Sequence, residues 1–146
     1  MRILICDDDA LMREQLQQYI RGYFEKACTK CPEIVCFSDG ESLLADEGEK
    51  DLLFLDIEMP GINGIEAMKE IKKNNPNLIF IVMSAYDKFD YAQEAINLGV
   101  LEYLHKPVNQ KKIVEVLKKA MNMVDNRREK RSRDLETKEK LEIVVP

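Results

Sequence analysis

Leu52-Leu53-Phe54-Leu55-Asp56-Ile57-Glu58-Met59-Pro60-Gly61-Ile62-Asn63-Gly64 holds one complete passage from strand to helix. Leu52–Leu55 is an unbroken apolar run, as in strands covered on both faces. Asp56 ends it. The Met59–Gly64 stretch carries Pro, Gly and Asn, the residues of loops. Beyond it Ile65, Met68 and Ile71 recur at helical spacing. The same passage repeats on both sides. Upstream, Arg2–Cys6 is a short apolar run that ends in Asp7-Asp8-Asp9. A helix over Ala10–Phe24 follows, with Asp9 at its N-cap and Leu11, Leu16, Tyr19, Ile20 and Tyr23 as its apolar positions. Ile34–Phe37 reads as strand two, and Ser38-Asp39-Gly40 turns into a short helix through Leu43, Leu44 and Ala45. Downstream, Leu78–Met83 is strand four. Asp87–Leu98 reads as a helix with Phe89, Ala92, Ala95 and Ile96 on one side and Gly99 as its stop. Leu101–Leu104 is strand five. Asn109 caps a last helix, apolar at Ile113, Val116, Leu117, Ala120, Met121 and Val124.

Five strands alternating with five helices make βαβ units, hence a parallel sheet with right-handed crossovers and helices on both faces. In such sheets ligands bind outside the carboxyl ends of the strands. The length of 146 residues fits one domain. With 45% hydrophobic and 34% charged residues, a core is possible and the composition argues against wholesale disorder. A net charge of -5 argues against a chain that coats nucleic acid along its whole surface. The apolar run Leu78–Met83 is too short to span a bilayer. The N-terminus meets three aspartates at once, so it does not read as a signal peptide. These features point to a soluble, cytoplasmic protein with no membrane partner.

Four cysteines without an export signal do not form a disulfide framework. Cys28 and Cys31 make a C-x-x-C, which serves redox or zinc chemistry elsewhere. Zinc needs two further ligands, and the single histidine, His105, lies far along the chain. Cys6 and Cys36 sit in strand-like runs as small buried residues. The set reads as structural.

One folded unit covers residues 1–124, and residues 125–146 read as a charged helical linker. Between Asp125 and Glu142 stand seven basic and six acidic residues. The cluster from Arg127 to Arg133 therefore reads as a solvated helical face. The seam Ile113, Leu117, Ala120, Val124 has nearly the coiled-coil period but turns polar at Arg127, Arg131 and Asp134. The apolar end Leu141–Pro146 reads as the start of a further segment.

Strand one ends in Asp7-Asp8-Asp9, strand three in Asp56, strand four in Ser84 and strand five in Lys106-Pro107. All fall on one edge of the expected sheet. Carboxylates from adjacent strands resist joint ionisation unless a cation intervenes. Hard oxygen ligands suit Mg²⁺. A carboxylate also serves as nucleophile in aspartyl-phosphate chemistry. Lysine supplies a mobile positive charge for phosphoryl oxygens, and a serine hydroxyl donates one hydrogen bond. Phosphoryl transfer needs this set, because its catalysis is mostly positioning and charge neutralisation.

Ile3-Leu4-Ile5-Cys6-Asp7-Asp8-Asp9, Leu55 to Gly64, Met83-Ser84-Ala85 and Tyr103-Leu104-His105-Lys106-Pro107 together resemble the receiver domain of two-component response regulators. The resemblance runs in order from Arg2 to about Val124. It implies a flavodoxin-like (βα)5 fold, with a parallel five-stranded sheet of order 2-1-3-4-5 and an extended last helix. It implies Asp56 as phosphoacceptor. It implies Mg²⁺ held by Asp8, Asp56 and the main-chain carbonyl of Glu58, with Asp7 close to the metal. Lys106 and Ser84 would bind the phosphoryl group, Tyr103 would be a switching aromatic, and Lys106-Pro107 would be a cis bond. Glu58 and Tyr86, each two positions after a site residue, would tune the lifetime of the phosphoaspartate. The donor would be a sensor histidine kinase. The surface of helix four, strand five and helix five would change on phosphorylation and pair with a second copy. The run Ser84–Ala92 is most similar to receivers of AraC-type transcription regulators, so DNA would be met only through an output domain outside this chain.

An enzyme alternative is a Mg²⁺-dependent phosphohydrolase of the haloacid-dehalogenase type, with Asp7 and Asp9 as its D-x-D. Leu11 stands where that family has Thr or Val, and no cap domain fits the length. A third reading is an inactive receiver fold used for dimerisation, against which the complete acidic set argues. The expected protein is thus no turnover enzyme, catalysing only its own aspartyl phosphorylation and dephosphorylation.

Overall fold

The computed structural model describes residues 1–85 and 89–144, with side chains described up to Arg131 and at Arg133, Phe89 excepted. Strands and helices alternate as β1 (Arg2–Cys6), α1 (Ala10–Lys26), β2 (Glu33–Phe37), α2 (Gly40–Ala45), β3 (Leu52–Asp56), α3 (Gly64–Asn74), β4 (Ile79–Ser84), α4 (Phe89–Asn97), β5 (Glu102–His105) and α5 (Gln110–Val144). The sheet is parallel in the order β2-β1-β3-β4-β5. This is the expected flavodoxin-like architecture.

Side-chain alternation along the strands divides the core in two. Ile3, Ile5, Leu52, Phe54, Ile79, Ile81 and Met83 face α1 and α5. Leu4, Cys6, Leu53, Leu55, Phe80 and Val82 face the other side, toward Leu43 of α2, Met68 and Ile71 of α3 and Ala95 of α4. All five residues of β3 and all six of β4 are buried, which explains their unbroken apolar runs. Helix starts follow the sequence. Asp9 accepts from the amides of Leu11 and Met12, Asp39 from Ser42, Asn63 from Glu66 and Asn109 from Lys112.

Two helix faces differ from expectation. In α1 the buried stripe is Met12, Leu16, Ile20 and Phe24, four residues apart. Tyr19 and Tyr23 pack at its margin, while Leu11 is 65% exposed. In α4 the inner face is Tyr91 and Ala95, continued by Leu98 just past the helix, and Ile96 is 65% exposed. Both helices are rotated by about one residue, because packing on the twisted sheet picks the continuous stripe, not the largest side chains. The expected helix start at Asp87, the Phe89 side chain, the polar seam position Asp134 and the Leu141–Pro146 end lie outside the described residues or side chains.

The α1–β2 turn was not foreseen. Thr29 N–H donates to Phe24 O and Cys28 N–H to Glu25 O, a Schellman closure of α1. Cys28 stands at the left-handed position of that motif with φ 55°. At the opposite edge from the strand ends, the Arg2 guanidinium clamps Asp46 through two bonds of 2.7 and 2.9 Å. Arg2, and then Lys50, hold the Asp46 carboxyl at about 2. The basic residues of α5 from Arg127 to Arg131 are exposed, as a solvated face requires, and Arg127 donates to the Asn77 carbonyl.

Candidate functional site

Because the sheet is parallel, its carboxyl ends share one edge, and the ladder continues one step past the strands. Asp7 N–H donates to Phe37 O, Ile57 N–H to Met83 O and Lys106 N–H to Ser84 O. These bonds fix the residues that follow each apolar run. Asp7, Asp56 and Ser84 are the buried polar residues among those described, and all three lie on this edge. Asp8 is exposed beside them. Asp7, Asp8 and Asp56 each offer a carboxylate oxygen, and these oxygens lie within 4.8 Å of one another.

Lys106 bridges the buried pair. Its ammonium is 2.7 Å from Asp7 Oδ2 and 3.2 Å from Asp56 Oδ2. The Lys106-Pro107 bond is cis, as expected. Asp7 is held at its other oxygen by the Asp9 amide at 2.9 Å. Asp56 Oδ1 accepts from the Glu58 amide at 3.2 Å. Burial, and then the Asp7 charge, push the Asp56 carboxyl up to about 6, against the opposing pull of Lys106. Burial works to lower Lys106, but its bonds and charges with Asp7 and Asp56 win and its pKa is raised. Three carboxylates against one ammonium leave surplus negative charge in a partly enclosed site. The donors are all hard oxygen, so the set fits Mg²⁺ and not a soft metal.

Ser84 donates its hydroxyl proton to Glu58 Oε1 at 2.9 Å. Glu58 thus touches Asp56 through its backbone and Ser84 through its side chain. Tyr103 lies half-buried on the α4 side of β5. Its hydroxyl is buried with no hydrogen-bond partner among the described residues. The His105 ring packs edge-on against Tyr103, with centroids 6.2 Å apart. Tyr86 lies outside the described residues.

Gly64 is a site requirement that spacing alone did not reveal. A Cβ there would come within 2.3 Å of the Asp56 carbonyl oxygen and 2.7 Å of Ile57 Cα. Its amide donates to Ile57 O at 2.8 Å. The glycine lets the start of α3 touch the end of β3 and so sets where Asp56 stands. The available signal was the glycine that closes the loop after Asp56.

This constellation has counterparts. The response regulator receiver domain model matches residues 3–118. The chain belongs to the response regulator receiver domain family. It is 36% identical over 121 residues to the transcriptional regulatory protein ZraR of Klebsiella oxytoca, covering 82% of this chain and 26% of that protein. It is 35% identical over 123 residues to the DNA-binding transcriptional regulator NtrC of Azospirillum brasilense, covering 82% of this chain and 24% of that one. The chain therefore spans about a quarter of the length of these relatives. Among solved structures, the receiver domain of AraT, a response regulator of Geobacillus stearothermophilus, superposes with a TM-score of 0.76 at 34% identity, covering 87% of this chain and 97% of that one. A CheY-like receiver of Methanospirillum hungatei gives 0.75 at 26% identity, covering 86% and 97%. Receiver domains of two-component response regulators are phosphoacceptors served by sensor histidine kinases. No helix among the described residues is long and apolar enough to cross a membrane. The cysteines are free; Cys6 is buried and Cys28 exposed. No group of three potential ligands includes a cysteine among the described residues. Burial, and then nearby carboxylates, push the Cys6 thiol up to about 12, so it is inert packing.

Proposed function

We propose that Asp56 accepts the phosphoryl group from the phosphohistidine of a sensor histidine kinase in the cytoplasm. Asp8, Asp56 and the Glu58 main-chain carbonyl would hold Mg²⁺, with Asp7 beside it. The ion supplies charge neutralisation as the phosphoryl group approaches. Lys106 offers its ammonium and Ser84 its hydroxyl to the phosphoryl oxygens. The observation that carries this reading is the gathering at the strand ends of Asp7, Asp8 and Asp56, with carboxylate oxygens within 4.8 Å of one another, and of Lys106 paired to Asp7 and Asp56. Asp56 shares burial and the Lys106 pairing with Asp7, and its hindered ionisation fits a carboxylate that needs a cation before it acts as nucleophile.

Phosphorylation would shift the surface of α4, β5 and α5, with Tyr103 changing rotamer, and would favour a homodimer. The Tyr103 hydroxyl, buried without a hydrogen-bond partner among the described residues, supports this, since a rotamer that reached a partner would recover the cost of leaving it unsatisfied. Residues 1–124 form the receiver and residues 125–146 a linker, and α5 crosses the boundary between them unbroken from Gln110 to Val144. The names of relatives that are transcriptional regulators support an output in transcription regulation through a DNA-binding domain outside this chain; its AraC type rests on the resemblance of the Ser84–Ala92 run alone. The domain turns over no metabolite; it catalyses only its own phosphorylation and slow hydrolysis. Glu58 and Tyr86 tune the second step by screening attacking water. Unchanged dephosphorylation rates on replacing either would overturn that role.

The test is intact mass after incubation with Mg²⁺ and acetyl phosphate, quenched cold, beside Asp56→Asn. One metal-dependent phosphoryl adduct on the wild type and none on the variant is expected. Steady release of phosphate from an ester would instead favour the phosphohydrolase, and absence of any adduct the inactive interaction fold.

A further inference from the structure

The hydrogen bond between Ser84 and Glu58 has no part in holding the sheet together, yet it occupies the one proton that Ser84 can donate. A serine hydroxyl has a single donor hydrogen. Here it goes to Glu58 Oε1 at 2.9 Å, from a Ser84 that is fully buried. An ionised carboxylate is acceptor-only, and charge-assisted bonds of this kind are about twice as strong as neutral ones. While the bond stands, the same proton is not available to an oxygen arriving on Asp56.

We propose that the Glu58 carboxylate is a latch on Ser84, a positioning residue that sets how readily Asp56 accepts a phosphoryl group. The proposal deepens the receiver reading and rests on it. Glu58 is suited to the role by its connections at both ends: its amide binds Asp56 Oδ1 at 3.2 Å and its carboxylate holds the hydroxyl across the site. Accepting the phosphoryl group requires Ser84 to exchange one anionic acceptor for another. The cost of that exchange opposes phosphorylation, and the new bond to the phosphoryl oxygen offsets it. The latch differs from the screening of water proposed above, because it acts on acceptance and through Ser84, not on hydrolysis and through solvent.

A second effect of the same carboxylate must be separated from the latch. Glu58 also places negative charge near an incoming anion, which by itself would slow acceptance. Latch and charge differ in their dependence on Ser84. The experiment is a double-mutant cycle over Glu58→Ala and Ser84→Ala in the full chain. It reads the initial rate of Asp56 phosphorylation by acetyl phosphate with Mg²⁺, and the calorimetric affinity for beryllofluoride as a phosphoryl mimic. Glu58→Ala is expected to raise both by about tenfold, the size of one charged hydrogen bond. In the Ser84→Ala background the same replacement is expected to give less than about a twofold gain, since no hydroxyl is left to release. Glu58→Gln keeps an acceptor oxygen without the charge and is expected to fall between wild type and Glu58→Ala. Should Ser84→Ala not fold, Ser84→Cys, close to serine in size and only a weak donor, takes its place.

A gain that persists at full size without the Ser84 hydroxyl would overturn the latch in favour of simple charge repulsion. No gain on Glu58→Ala, with the wild type phosphorylated on Asp56, would overturn the latch and leave the receiver reading intact. No Asp56 adduct on the wild type would overturn both.

Discussion

Asp56→Asn is expected to stabilise the metal-free protein at neutral pH, although it removes a charge that Lys106 touches. Burial and the neighbouring Asp7 raise the Asp56 carboxyl from 3.8 to about 6, net of the attraction to Lys106. The unfolded chain keeps the ordinary value. Between those two values the folded protein holds a proton that the unfolded chain has released. The stabilisation from the protonated form is therefore complete below about pH 4 and is lost as pH rises through about 6. A shift of about two units corresponds to about 3 kcal/mol at most. Asparagine is nearly isosteric, keeps an oxygen for the Glu58 amide, and leaves Lys106 its 2.7 Å pair with Asp7. In chelator at pH 7.5, urea denaturation followed by circular dichroism should show the variant about 1–3 kcal/mol more stable than wild type. The gap should close by about pH 4. Mg²⁺ at ten times its Kd should narrow it by about 1.4 kcal/mol, through binding to the native wild type. A variant less stable than wild type at pH 7.5, or a gap that does not change with pH, would refute the reasoning that repulsion dominates the empty acidic cluster.

Four further outcomes are expected. Gly64→Ala should cost about 2–4 kcal/mol and weaken Mg²⁺ binding by calorimetry, because its Cβ would meet the Asp56 carbonyl. Cys28→Gly should raise stability by about 0.5–1 kcal/mol in the same denaturation assay, since only glycine is relaxed at φ 55°. Asp46→Asn should cost about 1 kcal/mol at neutral pH. The stability that Asp46 confers is present above its ordinary value and lost as pH falls through about 2, so acid titration should bring the two proteins together there. Tyr103→Phe should be neutral or stabilising by about 1 kcal/mol in thermal denaturation, because it removes a buried hydroxyl that has no partner among the described residues.

The strand–helix alternation, the one-sided edge of aspartates, serine and lysine, and the helix caps were legible in one dimension. Apolar runs such as Leu52–Leu55 and Leu78–Met83 declare burial on two faces by themselves. Asp9 and Asn109 declare helix starts, because an N-cap bond spans only three residues. A parallel βα repeat then sends every strand end to the same edge, so Asp7, Asp56, Ser84 and Lys106 had to converge. Other features depend on distances between segments far apart in sequence. Which side of α1 and α4 faces inward was decided by packing, which buried Met12, laid Tyr91 half-buried against the core and left Leu11 and Ile96 outside. The close approach that reserves position 64 for glycine arises where α3 meets β3. The bidentate clamp of Arg2 on Asp46 joins residues 44 apart. The bond from Ser84 to Glu58 joins residues 26 apart. The raised pKa of Asp56 belongs to its burial and to Asp7 beside it, and neither exists in the unfolded chain. Sequence periodicity and local hydrogen bonding thus determined the elements and the chemistry at their ends. Only the packed structure decided how those groups are charged, which proton each one holds, and what occupies them before a ligand arrives.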